Sequence, residues 1–156
     1  WYDVSLDDLA GQSRRADEQG VRESQAQITA LIEREAKRGV AAEHLVLAGF
    51  SQGGAIALQT VLRHPRKLAG VMALSTYLPL AESLPKEAVP ASKATPIFMA
   101  HGTYDPLVPL VMGAGSMTLL TGLGYIVEWR QYPMPHSVCP EEIQDIGAWL
   151  RRVLIP

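Results

Sequence analysis

The chain has 156 residues, enough for one domain with a real core. Its 47% hydrophobic and 19% charged residues describe an ordinary globular protein, and a formal net charge of −2 gives no hint of a nucleic-acid partner. No apolar stretch is long enough to span a membrane and the start does not match a signal peptide, while a single cysteine, Cys139, excludes an internal disulfide and a cysteine metal cluster and fits a reducing cytoplasm.

Residues 5–20 carry mixed charge and two glycines and predict a loop with a short helix. Arg22 to Arg38 predicts a helix, with Ile28, Leu31 and Ile32 on an apolar stripe and Gly39 as its stop. His44 to Phe50 is a nearly unbroken apolar run, as in a strand covered on both faces of a parallel sheet. Next comes Gly49-Phe50-Ser51-Gln52-Gly53-Gly54, leading into a helix-forming run that ends near Arg63. A strand, a tight turn with serine at its tip and then a helix is the setting of the Gly-x-Ser-x-Gly nucleophile elbow of α/β-hydrolases. The turn lifts the Ser51 hydroxyl clear of the sheet and aims a helix N-terminus at it, where developing negative charge is favoured.

Ala69 to Ser75 predicts a second buried strand, and Tyr77 to Thr95, rich in proline, a long surface excursion. Ile97 to His101 predicts a third strand. Val111 to Thr121 predicts a helix, closed by Gly122 and Gly124. Tyr125 to Tyr132 predicts a fourth strand near a sheet edge. Pro140 to Leu154 predicts a last helix whose apolar face holds Ile143, Ile146, Trp149, Leu150 and Val153. The alternation implies one α/β domain, a mostly parallel sheet with helices on both faces. In such a sheet reactive groups gather beyond the carboxyl ends of the strands.

Serine is a poor nucleophile without a base, and the base needs an orienting group. Asp105 follows the third strand in a turn flanked by glycine and proline, where aspartate commonly caps a helix. His136 follows the fourth strand in a proline-stiffened loop. Ser51, Asp105 and His136 run in the chain order of an α/β-hydrolase triad. Among the remaining histidines, His44 and His64 lie away from the strand ends, and His101 suits a structural hydrogen-bonding role. Cys139 suits a helix start. No histidine–carboxylate spacing suggests a metal.

Gly-Phe-Ser-Gln-Gly-Gly, His-Gly-x-x-Asp-Pro-Leu-Val-Pro and Tyr-Pro-Met-x-His, with Leu-Ser-Thr-Tyr-Leu-Pro between them, resemble the phospholipase/carboxylesterase family. These are small serine esterases that include acyl-protein thioesterases, and the likeness is strongest to the bacterial carboxylesterases. It covers essentially the whole chain. The resemblance implies Ser51 as nucleophile, His136 as general base and acid, Asp105 as orienter and the Gln52 backbone N–H as an oxyanion donor. It implies no cofactor, a small ester or thioester as substrate, and a homodimer as a common state. Family members carry a His-Gly-Leu-Gly-like loop upstream of the segment matching Trp1-Tyr2-Asp3, which supplies a second oxyanion N–H. The expectation is therefore a chain lacking the N-terminal strands of the fold and weakly active until the missing segment completes it, since loss of one oxyanion donor costs roughly 10²–10³ in turnover.

Trp1, Tyr77, Leu78, Leu107 and Val108 fall near the expected rim of the site, where apolar groups suit an acyl chain; each equally suits plain packing. Other readings are a lysophospholipase with the same triad, and a hydrolase-fold scaffold that binds without catalysis.

Overall fold

The structure, a computed structural model, describes residues 18–155. Most of the loop expected over residues 5–20, and Trp1 with it, lies outside that span. Helix α1 (Glu18–Lys37) stops at Gly39, whose φ of 92° lies in the left-handed region that glycine enters at little cost. Ile32 is buried and Ile28 packs beside it, whereas Leu31 is exposed, so the apolar stripe is narrower than expected. A 3₁₀ turn (Ala42–His44) takes up His44, and strand β1 (Val46–Phe50) starts two residues later than the apolar run.

Helix α2 (Gln52–Val61), β2 (Gly70–Leu74), short helix α3 (Leu84–Glu87), β3 (Ile97–Gly102), α4 (Leu110–Gly122), β4 (Val127–Tyr132) and α5 (Pro140–Leu154) follow in order. The four strands form one parallel sheet in the order β1-β2-β3-β4. Parallel neighbours need a crossover between them, which α2, the segment 75–96 and α4 provide.

Two apolar layers sandwich the sheet. On one face Val71 and Ala73 of β2 and Ile97 and Met99 of β3 meet Ile32 of α1, Leu58, Val61 and Leu62 from α2 and its end, and Leu120 of α4. On the other, Met72, Leu74, Phe98 and Ala100 meet Trp149 of α5. The alternation follows from the two-residue period of a strand. Strands β2 and β3 are buried along their whole length, as an inner pair covered on both faces should be.

Three expectations need correction. Strand β1 is not covered throughout, since Ala48 and Phe50 are exposed, and among the described residues β1 pairs on one side alone. The segment Tyr77 to Thr95 is no surface excursion. Leu78 and Leu84 sit in the main core, and Ser92 and Thr95 are buried. Its prolines shape α3 and a 3₁₀ turn (Pro90–Ala94) instead of carrying the chain away from the body. Finally, Ile143 on α5 is exposed while the neighbouring Glu142 is fully buried. No helix among the described residues is long and apolar enough to cross a membrane.

Candidate active site

Parallel register sets the site. Phe50, Leu74, Ala100 and Arg130 lie abreast at the carboxyl ends of the strands. One residue further along, Ser51 and Ser75 leave the sheet, while His101 stays in β3, paired with Gln131. The Ser51 N–H donates to the Leu74 carbonyl at 2.9 Å and the Ser75 N–H to the Ala100 carbonyl at 2.8 Å, so both turns hang from the ladder.

Ser51 has φ 54° and ψ −126°, a conformation a side chain resists, and it caps the N-terminal end of α2. Chain reversal is tight enough that a Cβ on Gly49 would stand 2.1 Å from the Gly53 carbonyl carbon. Only glycine permits strand and helix to approach that closely. Gln52 is the first residue of α2, where the backbone N–H groups of a helix have no intrahelical acceptor.

Asp105 and His136 come from different loops, joined by backbone. The Thr103 N–H donates to the Tyr132 carbonyl at 2.9 Å and the Tyr104 N–H to the Met134 carbonyl at 3.2 Å. His136 Nδ1 then lies 2.7 Å from Asp105 Oδ2, with the carboxylate fully buried and the imidazole nearly so. A carboxylate accepts, so Nδ1 carries the proton, and Nε2 is the nitrogen left to take another. The other carboxylate oxygen, Oδ1, accepts the N–H groups of Leu107 and Val108, each at 2.9 Å. Asp105 thus serves its turn through one oxygen and His136 through the other. The His136 ring packs on Phe50, centroids 4.7 Å apart, which puts it against the residue preceding Ser51.

Of the expected rim residues, Leu107 is exposed and Tyr77 half-buried. Leu78 is committed to the main core, and Val108 is buried with its carbonyl taken by His101 Nε2 at 2.8 Å. Trp1 lies outside the described residues. Tyr104 and Val111, both strongly exposed, extend the apolar surface of the Leu107 loop and carried no signal beyond their neighbourhood to Asp105. Phe50 was equally silent: an aromatic at the end of β1 reads as core until the histidine loop is seen to fold over it. Cys139 caps α5, as its position before Pro140 suggested. Among the described residues no cluster of three or more histidine, cysteine or acidic side chains is placed to hold a metal ion.

A profile of the Phospholipase/Carboxylesterase family matches residues 1–154. An acyl-protein thioesterase 1 of Gibberella zeae is 40% identical over 161 residues, spanning 100% of this chain and 68% of its own length. One from Mycosarcoma maydis is 42% identical over 168 residues, spanning 99% of this chain and 69% of its own. Among solved structures, Arabidopsis thaliana SOBER1 superposes with a TM-score of 0.91 at 33% identity, covering 99% of this chain and 73% of that one. Zea mays acyl-protein thioesterase 2 gives 0.81 at 27% identity, covering 99% and 72%.

Proposed function

The chain belongs to the phospholipase/carboxylesterase family, and from that premise we propose that it is a serine hydrolase cleaving carboxylic esters or thioesters through an acyl-enzyme on Ser51. One observation carries the reading. His136 is held by Asp105 through Nδ1 at 2.7 Å while its ring rests on Phe50, next to a serine on a strained strand-to-helix turn. An imidazole oriented by a buried carboxylate beside such a serine has little other use.

In the proposed reaction His136 Nε2 takes the Ser51 proton as Oγ attacks the carbonyl carbon. The oxyanion accepts the Gln52 N–H, backed by the positive end of α2. The tetrahedral intermediate collapses, the imidazolium gives its proton to the leaving alcohol or thiol, and the acyl group stays on Ser51. Water, deprotonated by the same imidazole, repeats the sequence and releases the acid. Asp105 keeps Nδ1 protonated and the ring in place. The exposed apolar loop around Leu107 supports an acyl chain as the substrate's other end. Relatives named acyl-protein thioesterase support thioesters within the range.

The reading is tested with a fluorophosphonate probe, which is expected to label Ser51 stoichiometrically and to leave S51A unlabelled. Asp105→Asn is expected to lower kcat by about 10⁴-fold. Labelling that persists in S51A would overturn the assignment. A panel of esters and thioesters of graded acyl length then reads out the leaving-group preference.

A further inference from the structure

We propose that His101 is a positioning residue for this relay: its Nε2–H, donated to the Val108 carbonyl beside Asp105, holds the turn that sets the angle at which the carboxylate meets His136. The proposal rests on the triad reading and adds a second imidazole to it. The His101 side chain is fully buried, with Nε2 2.8 Å from the Val108 oxygen and 3.6 Å from Asp105 Oδ2. A carbonyl oxygen can only accept, so the proton is on Nε2. Nδ1 is buried with no hydrogen-bond partner and has nothing to which it could donate. The tautomer is therefore fixed by the site, and its one N–H goes to the Val108 carbonyl, with Nε2 3.6 Å from Asp105 Oδ2.

The ring cannot turn away. A Cβ built on Gly113 of α4 would lie 2.5 Å from Nδ1 and 2.9 Å from Cε1, so the helix backbone closes on that edge. Trp129 of β4 lies across the ring at a centroid distance of 6.1 Å. This clamp reaches the carboxylate by two routes. Val108 donates its N–H to Asp105 Oδ1 at 2.9 Å and has its own carbonyl held by His101, which locks the turn. The same N–H limits how far Oδ2 can drift from His136 Nδ1. A shift of about 1 Å at such a carboxylate is enough to cost about 10²-fold in rate.

The tautomer makes the test specific. Glutamine places an amide nitrogen near the Nε2 position; asparagine places it near Nδ1. Active sites are counted with the fluorophosphonate probe, so that unfolded protein does not enter kcat. His101→Gln is expected to keep kcat within about threefold, and His101→Asn and His101→Phe to lose about 10²-fold with KM changed less than about twofold. The low-field proton resonance of His136 Nδ1–H should survive in the glutamine variant and shift or vanish in the other two. Gly113→Ala, which displaces the imidazole without removing it, should reproduce the kcat loss and decides the matter if His101→Phe does not fold. Equal kcat in the glutamine and asparagine variants, or an unmoved His136 resonance in both, would overturn the proposal. Failure of the triad itself would show separately, as labelling retained by S51A.

Discussion

Ser51 with φ 54° and Ser75 with φ 47° stand on adjacent strand ends, and the Ser75 hydroxyl is buried without a partner. Each such backbone costs of order 1–3 kcal/mol and persists only where the surroundings over-determine it. Here the ladder bonds from both serines to the sheet do so. The glycines around Ser51 made its turn legible in the sequence. Ser75 gave no such sign, because nothing in Leu-Ser-Thr marks a positive φ. Glu142 was hidden for a different reason. On a helix, positions 142, 146, 149 and 153 share a face as regularly as the expected 143, 146, 149, 150 and 153, and the charge argued for the second set. The structure buries Glu142 completely and leaves Ile143 in solvent. Burial pushes the Glu142 carboxyl up to about 7, and the nearby Cys139 N–H, outside good hydrogen-bond geometry, offsets this only in part. The folded state therefore holds a proton that the unfolded chain releases near its ordinary 4.5, so stability falls as pH rises from 4.5 through 7. Glu142→Gln is expected to be near neutral at pH 5 and stabilising by about 2–3 kcal/mol at pH 8, read from urea unfolding at both values. A destabilised variant at pH 8 would show that the ionised carboxylate has a partner.

At the scale of elements, the segment between β2 and β3 shows where pattern reading fails. Its prolines signal turns, and turns suggest surface, yet Leu78 and Leu84 fill the core over the sheet. What holds the segment in place is polar and distant in sequence. Arg63, at the end of α2, has its guanidinium almost wholly buried and reaches Glu87, Ser83 and the carbonyls of Leu80 and Gln59. Leu80 has φ 47°, and its carbonyl is held by the Arg63 guanidinium at 3.3 Å, so this strained residue is tied to the same knot. Arg22 of α1 adds a second cation to Glu87 at 2.8 Å. Partial burial works to raise the Glu87 carboxyl, but hydrogen bonds from Arg22, Arg63 and Ser83 outweigh it and bring the group down to about 2. Removing Glu87 leaves the buried Arg63 guanidinium without its carboxylate, whereas removing Arg63 leaves Glu87 still paired with Arg22. Glu87→Gln is expected to cost about 2 kcal/mol at pH 7, and Arg63→Met less, about 1 kcal/mol, because the Glu87 left behind keeps some solvent contact and Arg22. Urea unfolding of the two variants checks the order; the reverse order would mean that the arginine is held by packing alone. The helices and strands themselves were legible because each carries its own period. This knot was not, since no local pattern links residues 22, 63 and 87.

For the molecule as a whole, these two carboxyls sit on opposite sides of the sheet and pull the pH dependence in opposite directions. Glu87 is on α3, which packs with the α2 layer, and Glu142 is on α5, which covers the other face. For Glu87 the folded value lies below the unfolded 4.5, so its contribution is complete above 4.5 and drains away as pH falls toward 2. For Glu142 the folded value lies above, so its penalty is absent below 4.5 and complete above about 7. Together they make the fold most tolerant in the mildly acidic range and weaker on either side. Groups this far apart with no shared partner should act additively, within about 0.5 kcal/mol. In the double variant E87Q/E142Q both slopes should go. Its unfolding free energy relative to the parent is expected to be raised or equal at pH 8, lowered at pH 5, and to converge on the parent near pH 1, below the folded value of about 2, where Glu87 is protonated in both states. Unfolding curves at these three pH values decide it. A double-variant difference that did not change with pH would mean that neither carboxyl titrates with folding, and the opposed pair would have no part in setting the pH range of the fold.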